Sequence, residues 1–350
     1  MATEQSIWSG MRPAREYENV DAKMFRTVIE PLNRPAVLRG LVKQWPAVIS
    51  AQKSPKTLGD YLCRHSNDKP ISTFIGDPKI HGRFFYGDNL QGDNFARRHL
   101  PLSNVVSILL QELDNAHAPA IYAGAVSVPE HLPGLLSENM IDVLDSSVRG
   151  LASIWIGNRT RIAAHWDQQE NIACVIGGRR RYTLFPIQQM KNLYIGPLDR
   201  TPAGPPISLV DFHRPDDHRF PRFRQALEHA EVAELGPGDA LYMPSFWIHH
   251  SESLDRFGLM MNFWWQPWVS QPLSAYLTML HSLLSIRDLP PTVRENWRVL
   301  FDYYVFQTAD DPMGHIPPES RGIFAALTPE HAHTIIAHLQ QTLDQLKSSM

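Results

Sequence analysis

Leu235-Gly236-Pro237-Gly238-Asp239-Ala240-Leu241-Tyr242-Met243 is the stretch that decides the fold. A tight Gly-Pro-Gly-Asp turn delivers the chain into a short apolar strand. Pro244-Ser245-Phe246-Trp247-Ile248-His249-His250 follows directly. Outward from this point the same texture runs from about 119 to 268. Ala120–Ala123, Ala152–Ile156, Asn171–Ile176, Tyr182–Phe185, Ala240–Met243 and Leu259–Trp265 are short runs rich in β-branched and aromatic residues, separated by Gly, Pro and Asp turns. Many short strands punctuated in this way predict a β-sandwich or barrel. The proline-rich segment 197–221 reads as a long ordered loop inserted between strands, and such loops are more often functional than idle.

The flanks read differently. Residues 20–120 mix helix and strand: Arg34-Pro35-Ala36-Val37-Leu38-Arg39-Gly40 is an apolar strand closed by glycine, and Trp45-Pro46 breaks the pattern. A polar region then leads to Gly82-Arg83-Phe84-Phe85-Tyr86. Apolar residues at 102, 105, 106, 109, 110 and 113 predict a helix from Leu102 to Leu113. After Pro267 the spacing of Leu273, Tyr276, Leu277, Leu280, Leu283 and Leu284 is helical until Pro290-Pro291 stops it. Thr328-Pro329-Glu330 opens a last helix with a capping residue and a proline at the first position. Its stripe of Ala332, Ile336, Leu339, Leu343 and Leu346 suits pairing with another helix or packing on the chain's own barrel. The division expected is 1–118 as a mixed α/β region packing on the barrel, 119–268 as the barrel, and 269–350 as a helical segment.

Composition bounds the function. Among 350 residues, 43% hydrophobic and 20% charged is globular composition and excludes disorder as the main state. Lys plus Arg (33) against Asp plus Glu (36) gives net −3, so no basic surplus argues for nucleic acid. Two cysteines, Cys63 and Cys174, make no disulfide framework and fit a reduced, cytoplasmic protein. The first twenty residues lack a basic start followed by an apolar run, so no secretory signal is expected. No stretch approaches the roughly 20 apolar residues that span a bilayer. The counts that stand out are 16 His and 9 Trp, which direct attention to a metal site beside aromatic walls.

Ala164-His165-Trp166-Asp167 supplies the first part of such a site. On a strand, residues i and i+2 share a face, so His165 and Asp167 present an imidazole and a carboxylate side by side, with Trp166 turned away. One histidine of the His249-His250 pair completes a set of two His and one carboxylate if a barrel closes the eighty-residue gap. That set is the facial triad of non-haem Fe(II) oxygenases, which leaves three coordination positions open. Three protein ligands with an open position also describe catalytic zinc, so a zinc hydrolase stays in view.

The segments Arg34–Gly40 with Trp45-Pro46, Gly82–Tyr86, His165–Asn171, Leu235–Leu254 and Asn262-Phe263-Trp264 together resemble the cupin-like JmjC group of 2-oxoglutarate oxygenases. Within that group they are similar to bacterial relatives of the asparaginyl hydroxylase acting on hypoxia-inducible factor. The resemblance runs from about residue 30 to 268 and is weaker in the helical tail. It implies a mainly β fold with flanking helices, a double-stranded β-helix of the cupin or jelly-roll type, and a C-terminal helical segment. It implies His165, Asp167 and His249 as metal ligands and catalytic residues, because the family's third ligand is the first histidine after an aromatic pair, here occupied by Trp247-Ile248. His250 then points to the opposite face, as a packed or hydrogen-bonded core residue.

The same resemblance implies Fe(II), 2-oxoglutarate as co-substrate and O₂. The family's cation for the far carboxylate of 2-oxoglutarate lies fifteen positions after the first ligand, which is Arg180, within Gly177-Gly178-Arg179-Arg180-Arg181. An arginine fork suits a carboxylate, although its geometry is not that of the family's lysine. Arg180 reaches inward only if Arg179 and Arg181 face outward. Asn171 and Asn262 match amides that line the pocket, and Tyr122 a tyrosine reaching the same carboxylate. The family's threonine three residues before the first ligand is Ile162. Trp264, Trp247 and Phe263 are candidate walls of the substrate pocket and equally candidate core residues.

Substrate is less defined. The hydroxylase grips its asparagine with an Arg-Gln pair before a Ser-x-Val-Asp-Phe segment. Here Ser208-Leu209-Val210-Asp211-Phe212 is kept but the pair is Pro206-Ile207, and two apolar side chains cannot make those hydrogen bonds. Asparagine is therefore not carried over as the target; a protein side chain or a small molecule is expected, with residues 197–221 forming the rim of the site. The expectation is a hydroxylase that couples oxidative decarboxylation of 2-oxoglutarate to C–H hydroxylation. The alternative is a non-catalytic cupin-like binding module, which Ile162 favours. No nucleic acid or membrane partner is expected, and a homodimer through the C-terminal helices is.

Overall fold

The structure is a computed structural model that describes residues 7–145, 152–202, 204–266, 274–308, 313–322 and 328–349. The chain divides into two compact units, Met1–Pro267 and Trp268–Met350. No helix among the described residues is long and apolar enough to cross a membrane.

The first unit is built on fifteen strands among its described residues: β1 (Arg12–Pro13), β2 (Arg15–Glu18), β3 (Ala36–Arg39), β4 (Ile71–Gly76), β5 (Arg83–Phe84), β6 (Phe95–Leu100), β7 (Ala120–Ser127) and β8 (Ala152–Gly157). They continue with β9 (Arg161–His165), β10 (Glu170–Gly177), β11 (Arg180–Phe185), β12 (Glu231–Leu235), β13 (Ala240–Met243), β14 (Ile248–Ser253) and β15 (Gly258–Trp265). One sheet has six strands in the order β1-β12-β11-β14-β9-β5, and the other has nine in the order β2-β3-β13-β10-β15-β8-β7-β4-β6. From β8 to β15 the chain steps from one sheet to the other at every connection except β11 to β12, where residues 186–230 intervene. This winding is a double-stranded β-helix, a jelly roll closed by two facing sheets.

Both faces of the nine-stranded sheet are covered. Every residue of β10 is buried, which is why its sequence reads as a continuous apolar run and not as an alternation. Ile172, Cys174 and Ile176 join the cluster shared with Val48, Leu58 and Leu62, on the helices Pro46–Lys53 and Pro55–His65. Ala173 and Val175 point the other way and pack between the sheets with Tyr182, Leu184, Leu235 and Leu241. The β10–β11 turn needs glycine: Gly178 has φ +72, and a Cβ there would stand 2.5 Å from the Phe257 carbonyl oxygen. Strands β2 to β4, β6 and β7 extend the same sheet outward.

Prolines that interrupt the sequence pattern also start helices. Trp45-Pro46 does break the strand texture, but Pro46 and Pro55 each occupy the first position of a helix that the pattern did not announce. The Ser54 side chain accepts the Thr57 N–H at 3.0 Å and caps the second of these. The expected helix from Leu102 is present as Leu102–Gln111, with Leu102, Val105, Val106 and Leu109 buried.

The second unit is helical, with Ala275–Ser285, Pro291–Tyr304 and Pro329–Ser349. Pro267 and Leu273 lie outside the described residues. Pro291 begins a helix as well as following one. Thr328 accepts the His331 N–H at 3.2 Å and caps the last helix. Large apolar side chains stay exposed on all three helices, among them Leu284, Val299, Leu343 and Leu346.

Candidate metal centre

Strands β9 and β14 are antiparallel neighbours, and His165 is the cross-strand partner of His249. Beyond that pair the register slips, so that Ser251 faces Ile162 and two residues of β9 oppose His250 alone. Such a bulge re-aims side chains. It lets Ile162, which packs with Tyr122 and Trp155, and His165, three positions later, face the same interior, while Ala164 faces outward with Phe185 and Ile248. The expectation that strand alternation pairs His165 with Asp167 is corrected here: β9 ends at His165, and Asp167 lies in the turn beyond it. That turn is tied to the one before β14, where the Phe246 N–H donates to the Asp167 carbonyl oxygen at 2.8 Å. Phe246 holds the left-handed conformation to do so, at φ +63.

The three side chains converge. His165, Asp167 and His249 offer ligand atoms that lie within 4.8 Å of one another. The two imidazole rings are 4.4 Å apart, and His249 Nε2 stands 3.9 Å from Asp167 Oδ2. Each histidine Nδ1 meets the carbonyl oxygen two residues back, Ala163 at 2.8 Å and Trp247 at 3.1 Å. An Nδ1–H donated to that oxygen fixes the tautomer and leaves a lone pair on Nε2. Burial and the neighbouring His165 imidazole push His249 down to about 4, so the ring is neutral near pH 7. A neutral imidazole is the form that binds a metal. Trp264 Nε1 donates to Asp167 Oδ2 at 3.3 Å, which steers the carboxylate. A donor set of two imidazole nitrogens and one carboxylate on one side of a space fits a six-coordinate ion with open positions.

Beyond the triad the interior stays polar. Arg180 is buried at 4% exposure and donates from Nη1 to Ser251 Oγ at 3.1 Å. Its neighbours face the other way, as required: Arg179 pairs with Asp255 at 2.9 Å and Arg181 with Glu234 at 2.7 Å. Tyr122 is buried, and loss of solvent pushes its phenol above the ordinary range while the Arg180 charge opposes that shift. Asn262 donates to Asn171 Oδ1 at 3.3 Å and accepts the Trp155 indole N–H at 2.7 Å. Trp155 also meets the Trp264 ring edge-on at 5.7 Å. Sequence reasoning did not single out Trp155. Its signal was available in Ala152–Gly157, where Ala152, Ile154 and Ile156 face the helices and the residues between them must face inward.

The aromatic candidates separate. Trp264 stands at the triad, and Trp247 packs against the inter-sheet cluster with its indole N–H on the Asn33 carbonyl oxygen at 3.2 Å. Phe263 is fully buried on the opposite side of β15, edge-on to Trp45 at 6.3 Å, so it is core and not a pocket wall. His250 lies flat on Phe212 with ring centroids 4.3 Å apart. Ile207, in place of the amide-gripping pair, is buried with Tyr86 and Ala163. The part of the insertion around Ile207 and Leu209 runs beside β9, where Ser208 N–H donates to Ala164 O at 2.7 Å. Val210, Phe212 and Phe220 instead cover the outer face of the six-stranded sheet.

With this geometry in hand, comparison with known proteins is informative. The family model described as a cupin-like domain matches residues 21–271. A lysine-specific demethylase of Arabidopsis thaliana is 24% identical over 283 residues, covering 72% of this chain and 50% of that protein. The bifunctional peptidase and (3S)-lysyl hydroxylase of Homo sapiens is 24% identical, covering 73% of this chain and 84% of the relative. A tRNA wybutosine-synthesizing protein of Danio rerio is 24% identical over 306 residues, covering 80% of this chain and 87% of its own length. The chain thus spans half of the plant relative and most of the other two.

Proposed function

We propose that this chain, which belongs to the cupin-like family of JmjC-type oxygenases, uses Fe(II), 2-oxoglutarate and O₂ to hydroxylate a C–H bond of a protein side chain or a small molecule. The observation that carries the reading is the convergence of His165, Asp167 and His249 from the paired strands β9 and β14 and the turn after β9, each histidine held by its Nδ1 with Nε2 turned away from that bond. Relatives named for demethylation and for lysyl hydroxylation support oxidation at carbon.

When bound, Fe(II) with 2-oxoglutarate supplies oxygen activation. The chain supplies position and environment. Asp167 and the two imidazoles would hold the ion, and the Trp264 indole N–H steers the Asp167 carboxylate. The Arg180 guanidinium, already desolvated, would hold the far carboxylate of 2-oxoglutarate. The Tyr122 phenol stays protonated and can donate to the same group. Asn171 and Asn262 hold each other through one amide contact and offer their remaining donors to the pocket. Trp155 and Trp264, edge-on to each other at 5.7 Å, place aromatic surface beside the triad. Asparagine is not proposed as the target, because buried Ile207 has no polar group with which to grip it.

Purified chain supplied with Fe(II) should convert 2-oxoglutarate to succinate, and His165→Ala should reduce the rate more than about a hundredfold. Failure of the wild type to form succinate, while still folded, would favour a second reading, a binding module with the barrel but no turnover, in keeping with the apolar packing of Ile162. Cys63 and Cys174 are both free thiols, which suits a cytoplasmic location.

The assembly proposed is a homodimer through the C-terminal helices, on the exposed Leu343 and Leu346 and the half-exposed Ile336 and Leu339 of the last helix. Light scattering on a chain truncated before Thr328 should report a monomer where the full chain reports a dimer; an unchanged dimer would refute the assignment.

A further inference from the structure

The strands that hold the metal ligands carry a second arrangement on their outer face. Along one row, Glu234 of β12 faces Arg181 of β11, Arg181 faces Glu252 of β14, Glu252 faces Arg161 of β9, and Arg161 faces Arg83 of β5. Residues of this row open on a cleft of about 770 Å³ lined by Arg159, Arg161, Arg181, His213, Glu252 and His117, among others. That volume is in the range of small-molecule sites.

The charges in the cleft are unevenly matched. Arg181 is satisfied by Glu234 at 2.7 Å, and Arg256 donates to the Leu113 carbonyl oxygen at 2.6 Å. Arg159 and Arg161 have no carboxylate within 4.0 Å among the described residues. Arg161 is half-buried, and burial lowers its affinity for the proton it carries, a cost that a counter-ion would offset. Glu252 is nearly inaccessible: its Oε1 is engaged by His213 Nε2, while Oε2 stands 3.5 Å from Arg181 Nη1 and accepts no hydrogen bond. Buried polar atoms are satisfied in the great majority of cases, so an unsatisfied carboxylate oxygen in the wall of a cleft calls for a ligand or water.

The backbone is shaped to keep the arginines there. Arg159 sits at φ +28, in a region that disfavours a side chain. Its carbonyl oxygen presses on Gly82 so closely that a Cβ there would stand 2.1 Å away. The Gly82 carbonyl oxygen in turn accepts the Arg161 N–H at 2.7 Å.

We propose that this cleft binds a small oxyanion-bearing molecule, a phosphate or carboxylate compound with a neighbouring hydroxyl or amino group. Arg159 and Arg161 hold the anion, and the negative charge of Glu252 in the cleft wall favours the donor group beside it. Guanidinium forks match either oxyanion, and the site stands independently of the reading of the metal centre.

Calorimetry on the full chain at low ionic strength, with glycerol 3-phosphate and glycerate as probes, tests this and separates the two anion classes. Saturable binding of either probe is expected, weakened at least tenfold by Arg161→Gln and by Arg159→Gln. Arg159 is exposed, so its variant keeps the fold even if the half-buried Arg161→Gln does not. Arg179→Gln, whose side chain pairs with Asp255, should bind as the wild type does. The tighter probe identifies phosphate or carboxylate as the group recognised. No saturable binding of either probe, or binding that both cleft variants leave unchanged, would overturn the proposal.

Discussion

On β14, His249 and His250 are neighbours in sequence and face opposite sides of the six-stranded sheet. His249 looks inward at His165 and Asp167; His250 looks outward and stacks on Phe212. Both are buried, and burial pushes both down to about 4. Burial and protonation therefore do not distinguish a ligand from a core residue. What differs is the use of the ring nitrogens. His249 has Nδ1 on a carbonyl oxygen and Nε2 facing a carboxylate, whereas His250 Nδ1 has no hydrogen-bond partner among the described residues and the ring serves as an aromatic plate. The same division holds for the sheet as a whole: its inner face keeps polar groups aimed at an enclosed space, and much of its outer face is sealed by Phe185, Phe212, Phe220 and Phe223.

The strongest way to break this comparison is to exchange the two roles. His249→Ala should leave a folded protein and lower succinate formation more than about a hundredfold. His250→Phe should keep turnover, because the plate on Phe212 is retained. It should also change the pH dependence of stability. The folded His250 titrates near 4, below its ordinary 6.5, so the native state resists its protonation. Its contribution is complete above about pH 6.5 and is lost as the pH falls toward 4, a change of about 3 kcal/mol. Urea unfolding at pH 7 and pH 4.5 should show that part of the slope missing in His250→Phe. Turnover lost equally in both variants would erase the distinction.

A smaller effect sharpens the inner face alone. Arg180→Gln removes the charged fork but leaves the triad untouched, so the apparent KM for 2-oxoglutarate should rise at least about tenfold while iron affinity is kept. Steady-state kinetics with separate iron titration reads the two apart.

Much of this was legible in the residues. Short strands between glycine, proline and aspartate turns identify the barrel, and Ala120, Ala152, Asn171, Tyr182, Ala240 and Leu259 all lie in observed strands. The triad residues were legible as types, and the resemblance chose His249 over His250. The strand reading of Asp167 was wrong in its reason, because the strand stops at His165 and nothing in Trp166-Asp167 signals that end; the bulge before His165 was equally hidden, its register being set by β14, eighty residues away. Strand β14 itself, Ile248–Ser253, is buried throughout yet too polar to read as a buried strand, since His249, His250, Ser251, Glu252 and Ser253 supply five of its six residues. Phe263 was ambiguous for a related reason. Both faces of β15 are buried, so hydrophobicity alone cannot say which one looks into the pocket. The helices after Pro46, Pro55 and Pro291 were hidden because proline ends one pattern and begins the next with the same residue.

The central claim is that His165 and Asp167, with His249 from about eighty residues further along the chain, share one ferrous ion with 2-oxoglutarate. Anaerobic titration of the chain with Fe(II) and 2-oxoglutarate, followed by visible absorption, tests it most directly. The account predicts a metal-to-ligand band that saturates at one equivalent in the wild type and is absent in His249→Ala. A wild type that develops no band, or a His249→Ala variant that develops the same one, would contradict it.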